Sequence, residues 1–162
     1  MRNSRNETPL LVASANGHDS VVRVLLNKNV DIESTDASNS TPLLRAATNG
    51  HASVVGILLE KGANIESTDA SNSTPLLRAA TNGHASVVGI LLGKGANIES
   101  TDASNSTPLL RAAMNGHESV VRLLLQSGAC IDTKDKGNQT PLLWAVKNGR
   151  ETIVRLLLDN GA

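Results

Sequence analysis

The chain has 162 residues, 15 basic and 15 acidic side chains, four histidines, 40% hydrophobic residues, one cysteine, one tryptophan and neither tyrosine nor phenylalanine. That is enough chain for one domain with a core, while zero net charge and almost no aromatic side chains exclude a general nucleic-acid binder. No apolar run approaches the roughly 18 residues that span a bilayer, the opening Met1-Arg-Asn-Ser-Arg is polar and not a secretion signal, and a lone cysteine asks for no oxidising compartment, so the expected setting is cytoplasmic.

After that polar leader comes Thr8-Pro9-Leu10-Leu11, and the same string begins again at Thr41, Thr74, Thr107 and Thr140, always 33 residues on. The chain therefore divides into copies 8–40, 41–73, 74–106 and 107–139 and an incomplete 140–162. The second and third differ only at Glu60 against Gly93. Self-similarity at such a period is the mark of a solenoid, in which each unit packs on its neighbours.

Within copy 41–73 the elements follow in order. Thr41 suits an N-cap and Pro42 the first helical position, where its missing N–H costs nothing. Leu43, Leu44, Ala46 and Ala47 give this short helix its apolar side, and Asn49-Gly50 ends it, with Gly50 suited to a left-handed C′ conformation. His51 leads into a second helix carrying Val54, Val55, Ile57, Leu58 and Leu59 on one broad face, which Gly62 stops. Residues 63–73 hold one strong hydrophobe, Ile65, among turn formers, and predict an extended loop ending in a tight turn. Helices this short are marginal alone, so stability has to come from stacking. Residues at one offset then form aliphatic columns, such as Leu10, Leu43, Leu76, Leu109 and Leu142, Val22, Val55, Val88, Val121 and Val154, or Leu25, Leu58, Leu91, Leu124 and Leu157.

The period, with Thr-Pro-Leu, Asn-Gly-His, Val-Val-x-x-Leu-Leu and Gly-Ala-Asn-Ile, resembles the ankyrin repeat over residues 8–162. The resemblance implies an all-α solenoid of stacked helix-turn-helix units with β-turn loops, whose turn tips and concave first-helix face bind protein partners. Thr140 to Gly149, Thr-Pro-Leu-Leu-Trp-Ala-Val-Lys-Asn-Gly, is similar to the ankyrin arrays of fungal NLR-like receptors, which implies the recognition end of a larger protein. The chain departs from the family twice. The histidine of Thr-Pro-Leu-His is Leu11, Leu44, Leu77, Leu110 and Leu143 here, so apolar packing must replace its hydrogen bond to threonine. The turn glycine is Asn6, Asn39, Asn72, Asn105 and Asn138, and asparagine is the other residue best able to enter the left-handed region.

Those asparagines create five Asn-x-Thr strings, which the turn and the cap account for without any glycan. His18, His51, His84 and His117 share one offset about 8 to 10 Å apart, too far to share a zinc ion, and read as loop contacts. Cys130 has no neighbouring base and reads as a small half-buried loop residue. No catalytic constellation, phosphate loop or cofactor motif is present in the sequence, so an enzyme, a small-molecule substrate and a cofactor are not expected.

Function then falls to residues the fold does not require. The offset four residues after each threonine runs Val12, Arg45, Arg78, Arg111, Trp144, and arginine and tryptophan are enriched in interface hot spots. Thr48, Thr81 and Met114 run beside it, with Ser38, Ser71 and Ser104 at the turn tips. These residues form the candidate surface for a protein partner, with neither nucleic acid nor membrane expected. The competing expectation is a neutral charge ladder, in which Glu33, Glu66, Glu99 and Asp132, or Asp36, Asp69, Asp102 and Asp135, pair with the arginines in a structural spacer. The apolar last helix, with Ile153, Val154, Leu156, Leu157 and Leu158, predicts a fragment of a longer array whose final unit frays first.

Overall fold

The structure, a computed structural model, describes residues 2–4 and 6–162; Met1 and Arg5 of the polar leader lie outside the described residues. Ten helices are present among the described residues. They are α1 (Pro9–Ala15), α2 (Asp19–Leu26), α3 (Pro42–Thr48), α4 (Ala52–Glu60), α5 (Pro75–Thr81), α6 (Ala85–Gly93), α7 (Pro108–Asn115), α8 (Glu118–Gln126), α9 (Pro141–Lys147) and α10 (Glu151–Asp159).

Each odd-numbered helix begins as the sequence predicts. The Thr41 hydroxyl accepts the Leu44 N–H at 3.2 Å, and Pro42 sits in the first turn. A cap of this kind contributes about 1 kcal/mol. Gly50, at φ +78°, turns the chain into α4, and Gly62, at φ +85°, ends that helix. Each odd helix packs antiparallel on its even partner, while α1, α3, α5, α7 and α9 form one layer and the even helices the other. The repeating pair closes on itself through a second device, a contact between the cap threonine and a hydroxyl further along the unit. Thr8 meets Ser34, Thr41 meets Ser67, Thr74 meets Ser100 and Thr107 meets Thr133, all at 3.0–3.1 Å.

The core runs through the stack as columns. Leu58, Leu91 and Leu124 are completely buried, as are Val55, Val88 and Val121, and each such side chain contributes about 1.5 to 3 kcal/mol. The leucines that replace the family histidine are buried to 1% exposure at Leu11, Leu44, Leu77 and Leu110, whereas Leu143, in the last helix of that layer among the described residues, is 45% exposed. The column expectation weakens at its margins, where Leu25, Leu142 and Val154 are only half-buried.

The loops end in a turn whose asparagine occupies the left-handed region at every copy, with φ between 57° and 62° for Asn6, Asn39, Asn72, Asn105 and Asn138. Their side chains are not idle. The Nδ2 of Asn39, Asn72 and Asn105 donates to the carbonyl of Thr68, Thr101 and Lys134 in the next unit, at 2.8–3.2 Å. Successive tips are joined in the same sense by backbone bonds from Ala70 to Ser38, Ala103 to Ser71 and Lys136 to Ser104. No helix among the described residues is long and apolar enough to cross a membrane.

Candidate functional site

The turn that carries each tip is built around one aspartate. Asp36 Oδ1 accepts the N–H groups of Ser38 and Ser40 at 2.7 and 3.0 Å, folding residues 36–40 about the carboxylate. Its second oxygen is left facing the first residues of α3, where Arg45 meets it with both Nε and Nη2. The same pair recurs as Asp69 with Arg78 and Asp102 with Arg111, with Nε–Oδ2 distances of 2.6 and 2.7 Å. In the last unit the indole N–H of Trp144 donates to Asp135 Oδ2 at 2.8 Å, so an uncharged donor fills the place of the guanidinium. Lys147 lies over that indole, its Nζ 5.3 Å from the ring centroid, in cation–π range.

The first unit shows the complementary exchange. Asn3 occupies the aspartate position, its Oδ1 accepting the Glu7 N–H at 2.9 Å, and Val12 stands where the arginine would. A carboxylate in the turn thus comes with a nitrogen donor on the helix, at Arg45, Arg78, Arg111 and Trp144, whereas the amide of Asn3 stands opposite the apolar Val12 offset. Asn3 was not singled out by the sequence pattern, although stepping 33 residues back from Asp36 leads to it.

Burial desolvates the Asp36 carboxyl and by itself raises its pKa. The two backbone N–H groups and the Arg45 guanidinium outweigh that and hold it below the usual carboxylate range. Asp135 is likewise lowered against the effect of burial, by the Gln139 and Gly137 N–H groups, the Trp144 indole and the Lys147 charge.

The two carboxylate columns therefore part company. The aspartates take the arginines. The glutamates reach the following unit instead, Glu33, Glu66 and Glu99 accepting the backbone N–H of Asn64, Asn97 and Cys130, each at 2.8 Å.

The arginines are held at one edge and open at the other. Their side chains are 37%, 33% and 25% exposed at Arg45, Arg78 and Arg111, against 2%, 4% and 6% for the paired aspartates. Thr48 and Thr81 lie beside them with hydroxyls turned back onto the carbonyls of Leu44 and Leu77, and Met114 is half-buried at the same offset. Ser38, Ser71 and Ser104 are exposed at the tips. Between the second and third turns these groups line a polar hollow of about 400 Å³, floored by Arg78, Thr81 and Arg111 and edged by Ser71 and Ser104.

Histidine and cysteine lie elsewhere. The Nε2–H of His51, His84 and His117 donates to the carbonyl of Ala15, Thr48 and Thr81 in the preceding unit at 2.8–3.0 Å, which sets the tautomer because a carbonyl only accepts. Each ring also presses on the Asn-Gly glycine of the preceding unit. A Cβ on Gly50 would stand 2.6 Å from His84 Nδ1. No group of three or more histidine, cysteine or acidic side chains is placed to hold a metal among the described residues. Cys130, expected to be half-buried, is exposed. It takes the place of Asn64 and Asn97, whose Oδ1 atoms bond the N–H two residues on and which are exposed as well, so the offset itself faces outward whichever residue fills it.

A stack of helix-turn-helix units tied by histidine and asparagine bonds, with an ordered row of turns along one side, defines an all-α helical repeat protein. The sequence matches the family model for ankyrin repeats (3 copies) over residues 1–69 and 76–162, and the chain belongs to that family. Ankyrin repeats are generally protein-interaction modules and are typically non-catalytic. No curated protein matches the chain.

Proposed function

We propose that this chain is a non-catalytic, cytoplasmic protein-binding module that engages its partner through the turn tips and the concave first-helix face. Arg45, Arg78, Arg111 and Trp144 supply the contacts, with Thr48, Thr81, Met114, Ser38, Ser71 and Ser104 around them. The observation that carries this reading is the state of the arginines, each anchored by a buried aspartate and still a quarter or more exposed. A guanidinium fixed before its partner arrives loses little conformational freedom on binding, which is what an interface anchor requires.

A second reading has its own support. The same aspartate contacts brace the turn, so the ladder also serves a spacer with no dedicated partner. The chain itself supplies the variant that separates the two. Replacing Asp36/Arg45, Asp69/Arg78 and Asp102/Arg111 by the Asn/Val pair of the first unit keeps the turn's Oδ1 bonds and removes the charged face. Affinity capture with the parent and this variant, both checked for equal helicity by circular dichroism, decides between them. A binding module loses a discrete partner in the variant; a spacer captures the same set with both.

A further inference from the structure

Three consecutive turns in this protein have the same sequence, Asp-Ala-Ser-Asn-Ser, and carry the same arginine in the same pose. We infer that the occupant of the groove is an extended acidic peptide that repeats in threes, one carboxylate to each arginine. The inference rests on the protein-binding reading above and adds the chemistry and the period of the ligand.

The chemistry follows from which hydrogen-bonding groups remain. Every groove aspartate is saturated, Oδ1 by two turn N–H groups and Oδ2 by the arginine. What remains at Arg78 and Arg111 is donor capacity, since only Nε and Nη2 are engaged and Nη1 bonds no described residue. The Ser71 and Ser104 hydroxyls at the rim add donors without printing any charge on the surface. A face with spare donors and no spare anionic oxygen takes an acceptor-bearing ligand; hydrogen bonds with an ionised partner are about twice as strong as those between neutral groups, and a carboxylate adds the opposite charge that a neutral acceptor lacks. Arg45 is the weaker of the three positions, because Glu7 already stands 3.9 Å from its Nη2.

The period follows from the stacking. Packed helices lie about 8 to 10 Å apart, so identical arginines recur along the groove at that interval. A polyproline II chain rises about 3.1 Å per residue with three residues per turn. Every third side chain therefore returns to the same side after about 9 Å, in step with the repeats. A globular epitope has no such translation and would leave the identical units redundant. A helical ligand rises only about 1.5 Å per residue and would need its acids about six apart, on alternating faces.

The test uses two synthetic peptides of one composition, four glutamates and eight prolines. In one, glutamate falls at every third position; in the other, the glutamates are regrouped as two adjacent pairs. Binding of each to the 162-residue chain is followed by fluorescence anisotropy at about physiological salt. The regular peptide is expected to bind at least ten-fold more tightly. Exchanging Arg78→Trp and Arg111→Trp, which copies the Trp144 arrangement and so keeps a donor on each aspartate, should abolish that preference. Equal affinity for the two peptides, tighter binding of the paired one, or no binding of either at millimolar concentration overturns the inference. Capture of a partner that is lost in the Asn/Val variant would then leave the protein-binding reading standing, while failure of both removes the groove as a site.

Discussion

Gly56 and Gly89 stand in the middle of nine-residue helices, α4 and α6, at the offset where the other units carry Arg23, Arg122 and Arg155. A Cβ built on Gly56 meets nothing within 4 Å, and one on Gly89 meets only Leu123 Cδ2 at 3.8 Å, an ordinary contact. Neither glycine has a positive φ, so no backbone reason opposes a side chain. Glycine inside a helix costs close to 1 kcal/mol against alanine and arginine only a few tenths, which makes each exchange worth about 0.7 kcal/mol. Gly56→Arg with Gly89→Arg should then stabilise the chain by about 1.5 kcal/mol, and for a chain of this size that raises Tm by roughly 3 to 6 °C. The pairing seen in neighbouring units adds to it. Arg122 and Arg155 each reach the acid four residues earlier, Glu118 and Glu151, whereas the corresponding residues here are Ala52 and Ala85. Adding Ala52→Glu and Ala85→Glu supplies those pairs, each contributing about 0.3 to 0.5 kcal/mol. Differential scanning calorimetry of the parent, double and quadruple variants measures both increments. A double variant that melts at or below the parent temperature would refute the exposed-helix reasoning and show that the bare surface of α4 and α6 is required for close packing.

Ser14 is fully buried and its hydroxyl has no hydrogen-bond partner among the described residues; since Ala47, Ala80 and Ala113 fill the same offset, Ser14→Ala is expected to stabilise by about 1 kcal/mol in urea unfolding. Arg78→Ala leaves the buried Asp69 oxygen without its charged donor and should cost about 1.5 to 3 kcal/mol, while Arg78→Trp recovers most of the loss; equal melting of the two variants would contradict the donor-matching seen at Trp144. Because the carboxyls of Asp36 and Asp135 are held below their unfolded values, their contribution is fully present above about pH 3.9 and disappears as pH falls through the lower folded values. Denaturant titrations from pH 7 to pH 2 should show that loss, and Asp36→Asn should flatten part of the slope. Finally, α9 and α10 leave Leu143, Val146 and Leu158 at 45%, 58% and 52% exposure, so amides of residues 151–159 should exchange with deuterium well before those of residues 85–93.

Much of the fold is local enough to be written in the sequence. Thr41-Pro42 starts a helix and Asn49-Gly50 ends it through the dihedral preferences of the residues themselves, and Asn39 enters the left-handed region because a β-turn at that point demands it. Repetition then makes long-range packing legible, since a column such as Leu58, Leu91 and Leu124 records a contact that would be invisible in a single unit. The roles of the polar residues needed the tertiary structure. Two carboxylate columns, at Glu66 and at Asp69, are separated by two residues and look equivalent on paper. Only the folded turn aims the aspartate at Arg78, nine residues on in the helix that follows the turn, and the glutamate at the backbone of Asn97, 31 residues on. The burial of Asp69 to 4%, the hydroxyl contact that ties Thr74 to Ser100, and the tautomer of His84 likewise depend on distances across the stack, which no spacing along the chain specifies. Composition and period decide that these helices stack, because neither helix can hide its apolar face alone. Which side of each arginine is held, and which stays open to solvent, is decided by where the neighbouring turn places its oxygen atoms.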